Sequence, residues 1–194
     1  MGDIGRHEEV VSTCLDQFVK KGLYKTTSRD LSKALKLQNA GLYYYFQSKD
    51  DAVIACAEEA SFLLEDGLIV PALSDIYDPE ILVKNLFARA DTLAPMMRFL
   101  AQVCSANEYM DAMKPALFRL SQRYQEYAKR FAQKLKCDVQ AVEPFVYTSI
   151  SSISNYMLFG EQSYIIPQME MVKAKLTEIL SSVNDESNRE SKYE

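Results

Sequence analysis

The run of residues 26–49 carries the side chains of this sequence with the clearest chemical potential. Amides such as those of Gln38 and Asn39 can form paired hydrogen bonds with adenine in the major groove of DNA, and an alanine can meet a thymine methyl group. Threonine and tyrosine hydroxyls and the cations of lysine and arginine suit phosphate oxygens. The run has the pattern of two short helices joined by a tight turn, with a tyrosine-rich second helix flanked by lysine. A helix-turn-helix needs this arrangement to place one helix in the major groove.

Three elements must position these side chains. A first helix is predicted over about residues 8–22, because apolar residues recur there at helical spacing and Gly22 can end it in the left-handed conformation. Thr27 is predicted to cap a second helix over about residues 28–35, with Asp30 completing a capping box. Both elements precede the residues that would meet DNA.

The third helix is predicted to be short and to begin near Gln38 or Asn39. Leu42 and Phe46 lie four residues apart in it, so both should pack on the first two helices. Gly41 costs about 1 kcal/mol relative to alanine inside a helix. A core helix would not need that glycine, which favours a close approach of this backbone to DNA.

The rest of the chain is predicted to be helical as well, since no strand pattern of any weight competes with the helical periodicity. Prolines are taken as helix starts and Pro71 as a helix end. The polar residues that follow the last helix predict a disordered tail over 185–194. The further helices are expected over about 48–69, from 79, and over 95–104, 115–135, 139–159 and 167–183.

The charge of the chain is divided unevenly. The 194 residues have a net charge of −5, which by itself argues against a nucleic-acid binder. Residues 20–49, however, contain seven Lys or Arg and one acidic residue, whereas residues 50–194 carry a net charge of −8. A basic segment on an acidic body is typical of a DNA-reading head attached to another domain. The alternative is a chance lysine cluster on a solvated helix face.

The composition argues against several other classes of protein. The single histidine and the four widely spaced cysteines predict no metal site and no cofactor. The sequence has no Ser/His/Asp constellation, glycine-rich phosphate loop or H-E-x-x-H motif, so we expect no enzyme. The cysteines are expected to be reduced and mostly buried, with a redox-sensing thiol as the alternative. The apolar runs are too short to span a bilayer and no signal region is evident, so a cytoplasmic protein without a membrane partner is expected.

One family pattern spans about residues 10–53. It comprises Phe18 and Gly22, Thr26-Thr27, Asp30-Leu31 with Ala34, and above all Gly41-Leu42-Tyr43-Tyr44-Tyr45-Phe46 followed by Ser48-Lys49. This segment resembles the TetR family of bacterial transcription regulators, whose signature Leu-Tyr-x-x-Phe-x-x-Lys it matches. Lys36 and Gln38 depart from the family, since the turn usually carries a glycine and the third helix usually begins with a serine.

The resemblance implies a role for each polar residue of the head. The residues implied to face the groove are Gln38, Asn39, Ala40, Gly41 and Tyr43. Those suited to phosphates are Thr27, Arg29, Tyr45 and Lys49. The alternative for Tyr43, Tyr44 and Tyr45 is that they belong to the core, with only their hydroxyls reaching solvent.

The resemblance also implies the architecture of the whole chain. The expected fold is all-α, with a three-helix helix-turn-helix head over residues 1–48, joined by a long helix to a helical ligand-binding and dimerisation domain over 49–184. Helices 139–159 and 167–183 would form a four-helix bundle in a homodimer; the alternative is that their apolar residues are the core of one protomer.

The middle of the chain is rich in methionine and aromatic residues, which suit a cavity for a small apolar or aromatic effector, although core packing is the alternative for each of them. The proposed ligand-binding residues are Met96, Met97, Phe99, Tyr109, Met113, Phe118, Tyr124, Asn155, Tyr156 and Phe159, with Gln102 as a further polar group. The protein is therefore expected to be a repressor that the effector releases from a double-stranded DNA operator. A helical interaction protein and a cysteine-based redox regulator are the alternatives.

Overall fold

A computed structural model of the chain describes the backbone of residues 2–38 and 41–190 and the side chains of residues 6–38 and 41–183. Within these residues the chain forms seven α-helices and a short 3₁₀ helix, with no strand, which confirms the predicted all-α class. The elements are α1 (Gly2–Lys21), α2 (Ser28–Ala34), the 3₁₀ helix (Gly41–Tyr44), α3 (Lys49–Asp75), α4 (Pro79–Ser105), α5 (Asn107–Leu135), α6 (Val139–Phe159) and α7 (Gln162–Glu190).

Several prolines lie inside helices instead of at their ends, which corrects three predicted boundaries. Helix α3 continues past Pro71, Pro95 lies within α4, and Pro115 lies within α5. A proline removes its own N–H donor and crowds the preceding turn, but apolar packing on both sides can outweigh that cost. The buried residues Leu73 and Ile76, which follow Pro71, provide such packing. By contrast, α4 begins at Pro79, as predicted.

Of the last two helices, α6 agrees with the prediction, whereas α7 differs from it at both ends. Helix α6 covers the predicted residues, with Asp138 as its N-cap and Gly160 in the left-handed conformation after its last residue. Helix α7 begins five residues before Pro167 and runs to Glu190, into the segment for which a disordered tail was predicted. Extending a helix requires less free energy than starting one, so polar residues can continue it. Residues 191–194 lie outside the described part of the chain.

The chain divides into two compact units. Unit 1 comprises residues 1–64 and 94–118, and unit 2 comprises residues 65–93 and 119–194. The core of unit 1 includes Phe18, whose ring stacks on that of Phe99 at a centroid distance of 5.4 Å. The segment 94–118 therefore contributes to the core that supports the N-terminal helices, and unit 1 extends beyond the head predicted over residues 1–48.

Unit 2 is built on the packing of α6 against α7. The side chains of Ile153, Met157, Ile165 and Met169 are fully buried there. No helix among the described residues has the length and apolar character needed to cross a lipid bilayer.

Candidate nucleic-acid interface

The turn between α1 and α2 is held by its own backbone. Gly22 has a φ of 90°, as predicted for a residue that ends a helix, and its N–H donates to the Phe18 carbonyl at 2.8 Å. The buried Thr26 hydroxyl donates to the Gly22 carbonyl at 2.8 Å. Together with the fully buried Leu23, these bonds set where the next helix begins.

The predicted capping box of α2 is confirmed. The Thr27 hydroxyl accepts the Asp30 N–H at 3.2 Å, and the Thr27 N–H donates to Asp30 Oδ2 at 2.9 Å. The Thr27 hydroxyl also donates to that carboxylate oxygen at 2.7 Å, while Lys21 Nζ lies 2.6 Å from Asp30 Oδ1. The Lys21 ammonium and the Thr27 hydroxyl hold the pKa of Asp30 well below its usual range. Thr27, which was predicted to contact phosphate, therefore has its hydroxyl engaged in the cap.

The tight turn after α2 has the geometry of a glycine-ended helix without a glycine. Lys36 has a φ of 55°, in the left-handed region. Its N–H donates to the Lys33 carbonyl at 3.1 Å, and the Leu37 N–H reaches back to the Ser32 carbonyl at 2.9 Å. This pair of bonds is a Schellman motif, in which glycine normally takes the left-handed position. Lys36 thus departs from the family in residue type but keeps the expected conformation.

The third element is shorter and more tightly wound than predicted. It is a 3₁₀ helix over Gly41–Tyr44, whereas an α-helix from residue 38 or 39 was predicted. The Gly41 N–H donates to the Gln38 carbonyl at 2.7 Å and the Tyr45 N–H to the Leu42 carbonyl at 3.0 Å, both three residues back. Glycine and tyrosine are weak α-helix formers, and 3₁₀ winding is common in pieces this short. Asn39 and Ala40 lie outside the described residues.

Gly41 is required by packing within the head. A Cβ atom added at Gly41 would lie 2.6 Å from the Leu37 Cβ, a distance that real Cβ atoms essentially never show. Contrary to the prediction, packing within the head is enough to require this glycine, because contact with Leu37 alone excludes a side chain. Whether Gly41 also faces DNA stays a prediction.

The aromatic residues of this segment divide between core and surface. Leu42 and Phe46 are buried, as predicted from their spacing. Tyr43 is 55% exposed and Tyr44 is 79% exposed, so the core alternative does not hold for these two side chains. Tyr45 is half-buried, and its ring packs edge-on against Tyr44 at a centroid distance of 5.1 Å.

Lys49, another predicted phosphate contact, ties the start of α3 to the first turn. Its Nζ donates to the Leu23 carbonyl at 3.3 Å. The Leu23 N–H donates to Gln102 Oε1 at 3.4 Å, so the Leu23 residue is held on both sides by side chains distant in sequence. Gln102 was considered a ligand-orienting group, but in unit 1 it supports the turn. A pattern in one sequence carries no signal for such a contact.

The first turn of α3 also receives a hydrogen bond from α5. The hydroxyl of the buried Tyr109 donates to Asp50 Oδ1 at 2.7 Å. Burial and the Asp50 carboxylate both raise the pKa of Tyr109. One of the predicted ligand-binding residues is thus joined directly to the helix that follows the head.

The positive charge of the head lies on its surface. Lys21 is exposed and is paired with Asp30. The other basic side chains between residues 20 and 36 are exposed as well. These are Lys20, Lys25, Arg29, Lys33 and Lys36. Gln38 and Tyr43 are exposed as well and add an amide and a hydroxyl, so the head exposes the kinds of group that contact nucleic acid.

The predicted ligand-binding residues are distributed between the two units. Unit 1 contains Met96, Met97, Phe99, Tyr109, Met113 and Phe118, of which Phe99, Tyr109 and Met113 are buried. Unit 2 contains Tyr124, Asn155, Tyr156 and Phe159. The Tyr156 hydroxyl donates to Asp91 Oδ1 at 2.5 Å, whereas the side chains of Phe118 and Phe159 are exposed.

All four cysteines are free. Cys14 and Cys56 are fully buried in unit 1, and the Cys56 thiol donates to the Val11 carbonyl at 3.5 Å. Cys104 and Cys137 are half-buried. Two of the four cysteines thus match the expectation of buried thiols.

The comparisons with known proteins concern both the head and the whole fold. Residues 11–56 match the family model described as bacterial regulatory proteins, tetR family. No curated protein matches the chain.

Solved structures with a similar fold cover nearly the whole chain. A putative TetR-family transcriptional regulator from Mesorhizobium loti MAFF303099 aligns with a TM-score of 0.66 at 12% identity, over 94% of this chain and 98% of the other. A tetR-family transcriptional regulator from Streptomyces coelicolor aligns with a TM-score of 0.58 at 16% identity, over 98% and 86% of the two chains. The multidrug binding protein EbrR, complexed with imidazole, aligns with a TM-score of 0.56 at 18% identity, over 90% and 94%.

At these identities the structural likeness shows the fold, while the family model places the head. The resemblance predicted from the signature residues is thereby confirmed. Residues 11–56 are similar to the N-terminal segment of the tetR family of bacterial regulatory proteins, and the helical fold is similar to that of solved TetR-family transcriptional regulators.

Proposed function

We propose that this protein is a ligand-responsive transcription regulator that binds a double-stranded DNA operator as a homodimer, represses from it, and is released by a small apolar or aromatic effector. The observation that carries the proposal is the head itself. It has a capped α2, a Schellman turn at Lys36 and a short third element that exposes Tyr43, all within residues that match a family of regulatory proteins. That match favours DNA binding over a helical interaction protein or a cysteine-based redox regulator.

The polar residues of the head contribute to DNA binding in two ways. Gln38 and Tyr43 are exposed and would approach the groove together with Asn39, Ala40 and Gly41, while Arg29 and Tyr45 would contact phosphates. Thr27 would act through its cap, which fixes where α2 begins. Lys49 has one of its three ammonium donors engaged with Leu23, which leaves the other two for a phosphate.

Dimerisation would use the outer face of α7. The apolar residues Ile165, Met169, Val172, Leu176 and Ile179 follow a four-three spacing and are buried within the protomer, so for these the core alternative holds. Tyr164 and Met171 lie two helical turns apart and are 65% and 68% exposed. Exposed apolar side chains on one face of a long helix are suited to a partner helix. The exposed Ser151 on α6 would allow a close approach there.

Release by an effector would act through unit 1. The buried side chains of Phe99, Tyr109 and Met113 belong to the same unit as the head, and Tyr109 is bonded to Asp50 in the first turn of α3. Helix α3 begins with that turn and continues to Asp75, so an effector that displaces α3 would displace the turn that directly follows Lys49. Binding that favours a conformation unsuited to DNA lowers DNA affinity by the same free energy. A structurally similar protein is described as multidrug binding, which agrees with an effector of this kind.

The test is selection of a binding duplex from a random pool, followed by gel-shift titration over a salt series. Tyr43→Ala should weaken binding roughly 5- to 100-fold, the usual cost of one lost contact at a DNA interface. Arg29→Ala should weaken binding to all duplexes alike and reduce the slope of log K against log salt by about 1. Circular dichroism of both variants should match the wild type.

Two variants in unit 2 serve as controls. Tyr77→Ala removes a tyrosine that is 57% exposed, close to the 55% of Tyr43, and Lys84→Ala removes an exposed cation. Both should bind the selected duplex as the wild type does. If no duplex is enriched, or if the head variants behave like these controls, the proposed interface is wrong.

A further inference from the structure

Unit 2 contains a buried carboxylate that the sequence did not single out. Glu65, on α3, is 2% exposed. Its Oε2 atom lies 2.6 Å from Arg123 Nη2 and accepts the Tyr127 hydroxyl at 3.3 Å. Its Oε1 atom is also buried but has no hydrogen-bond partner among the described residues. Both partners come from α5, and both use the same oxygen.

Glu65 is shielded from solvent, and its charge acts on tyrosines of α5. Tyr124 precedes Tyr127 by almost one turn of α5, and burial together with the Glu65 charge raises the pKa of Tyr124 to about 12. Burial also raises the pKa of the Glu65 carboxyl, although the Arg123 guanidinium opposes this effect. A buried carboxylate oxygen without a donor is strongly unfavourable, so a structure that keeps one is expected to have a use for it.

The charge of Glu65 indicates which chemical group would fit. Arg123 already balances the negative charge, so a second cation beside it would leave an excess positive charge in a place with little water. What Oε1 lacks is one hydrogen-bond donor. A neutral O–H or N–H group supplies that donor without adding charge.

We infer that Glu65 Oε1 is the acceptor for a neutral O–H or N–H group on an aromatic effector, with Tyr124 beside it. This inference rests on the proposed function for its regulatory meaning, and it narrows the effector from any apolar or aromatic molecule to one with such a donor. Glu65 then selects the effector, while Arg123 and Tyr127 hold the carboxylate in place.

The experiment uses the full chain and four probes of similar size: para-cresol, toluene, 4-methylanisole and benzylamine. Para-cresol carries a neutral donor, toluene carries no polar group, 4-methylanisole carries only an acceptor, and benzylamine carries a cation. Calorimetric titration should give para-cresol a dissociation constant in about the 0.01–1 mM range expected for so small a ligand. It should bind about 10- to 100-fold more tightly than the other three, the effect of one hydrogen bond to a buried charged acceptor.

Glu65→Gln provides the sharper comparison because it keeps the shape of the side chain. Arg123 and Tyr127 both donate, so they require the amide oxygen at the position of Oε2, and the amide NH₂ group then replaces Oε1. The Glu65→Gln variant should lose the preference for para-cresol. It should bind 4-methylanisole at least as tightly as it binds para-cresol. Glu80→Gln is the matched control, since Glu80 is also ion-paired, to Lys173, but is 79% exposed. That variant should keep the wild-type order of the probes.

Each outcome decides the inference. Equal binding of para-cresol and toluene, tighter binding of benzylamine, or no binding of para-cresol would overturn it, and a buried water would then be the simplest partner of Oε1. An unchanged probe order in a folded Glu65→Gln variant would overturn it as well. If para-cresol binds in the predicted way but the selected duplex is never released, the site is supported and the proposed effector-controlled release fails. If another molecule releases the duplex and the probe order does not depend on Glu65, the proposed function stands and this inference fails.

Discussion

At the scale of single residues, Gly41 in the 3₁₀ helix and Gly67 in α3 differ in what surrounds them. An added Cβ at Gly41 would meet the Leu37 Cβ at 2.6 Å, and that atom is fixed by the backbone. An added Cβ at Gly67 would meet the Leu93 Cδ1 at 2.7 Å, and that atom is a terminal methyl group which can rotate away. The distances are similar, but only the first contact is rigid.

Gly41→Ala is therefore expected to destabilise the protein, whereas Gly67→Ala should not. The first change forces the turn and the 3₁₀ helix apart, at about 1–3 kcal/mol for an overpacked contact. The second change removes the cost of a glycine within α3, which is about 1 kcal/mol relative to alanine. That gain is opposed only by a small displacement of the Leu93 side chain. Urea denaturation of both variants measures the difference. Equal free energies of unfolding for the two variants would contradict the packing role of Gly41.

At the scale of elements, two helices end in the same way without a glycine. Lys36 follows α2 and Lys136 follows α5, with φ values of 55° and 54°. After Lys136, the Cys137 N–H reaches the Ala132 carbonyl at 3.1 Å, which repeats the Schellman bond seen after α2. The left-handed conformation costs a lysine about 1–2 kcal/mol, a cost that glycine avoids.

Lys36→Gly and Lys136→Gly should each stabilise the protein. The gain is expected to be about 0.5–1 kcal/mol, because relief of the left-handed strain exceeds the added freedom of glycine in the unfolded chain. Lys33→Gly is the matched control: Lys33 is an exposed lysine inside α2, and its replacement should cost up to about 1 kcal/mol. Thermal and chemical unfolding measure all three. A loss of stability in both left-handed variants would show that the strain is smaller than supposed.

At the scale of the whole molecule, the two compact units contain different parts of what the proposed function requires. Unit 1 joins the head to the segment 94–118 through Phe18 and Phe99 and through the bond from Tyr109 to Asp50. Unit 2 contains the buried Glu65 and the packed pair of helices α6 and α7. The outer face of α7 keeps apolar side chains exposed, and a homodimer would cover them.

Met171→Asp should convert the proposed dimer to a monomer. A carboxylate buried between two helices would lie opposite its symmetry mate, and neither charge would have a partner. Light scattering should give twice the chain mass of 22.1 kDa for the wild type and that mass for the variant. Binding to the selected duplex should weaken as well, since one head meets only one half-site. Met110→Asp changes a methionine in unit 1 that is 46% exposed and should leave the dimer intact. A wild type that already scatters as a monomer would overturn the dimer proposal.

Local chemistry explains which parts of the fold could be predicted. The cap at Thr27 and Asp30, the end of α1 at Gly22 and the bounds of α6 depend on residues within one or two turns of each other, so their signals lie in short stretches of sequence. The helix boundaries predicted at Pro71, Pro95 and Pro115 were wrong. The free-energy cost of a proline inside a helix is local, whereas the packing that outweighs it involves residues that the sequence does not place nearby. The extent of α7 was also predicted wrongly. Helix elongation depends on the turns already formed, and the composition of the added residues does not show this.

The sequence by itself determined the all-α class, the capped helix-turn-helix and the family signature, because each rests on local geometry and on residue types at fixed spacing. Only the tertiary structure decided that Gly41 is required by Leu37, that Lys49 is bonded to Leu23, and that Glu65 has one oxygen without a donor. Those facts depend on distances between side chains brought together by folding. Gly41 and Leu37 are close in sequence, but residue types alone do not show that their β positions would lie only 2.6 Å apart.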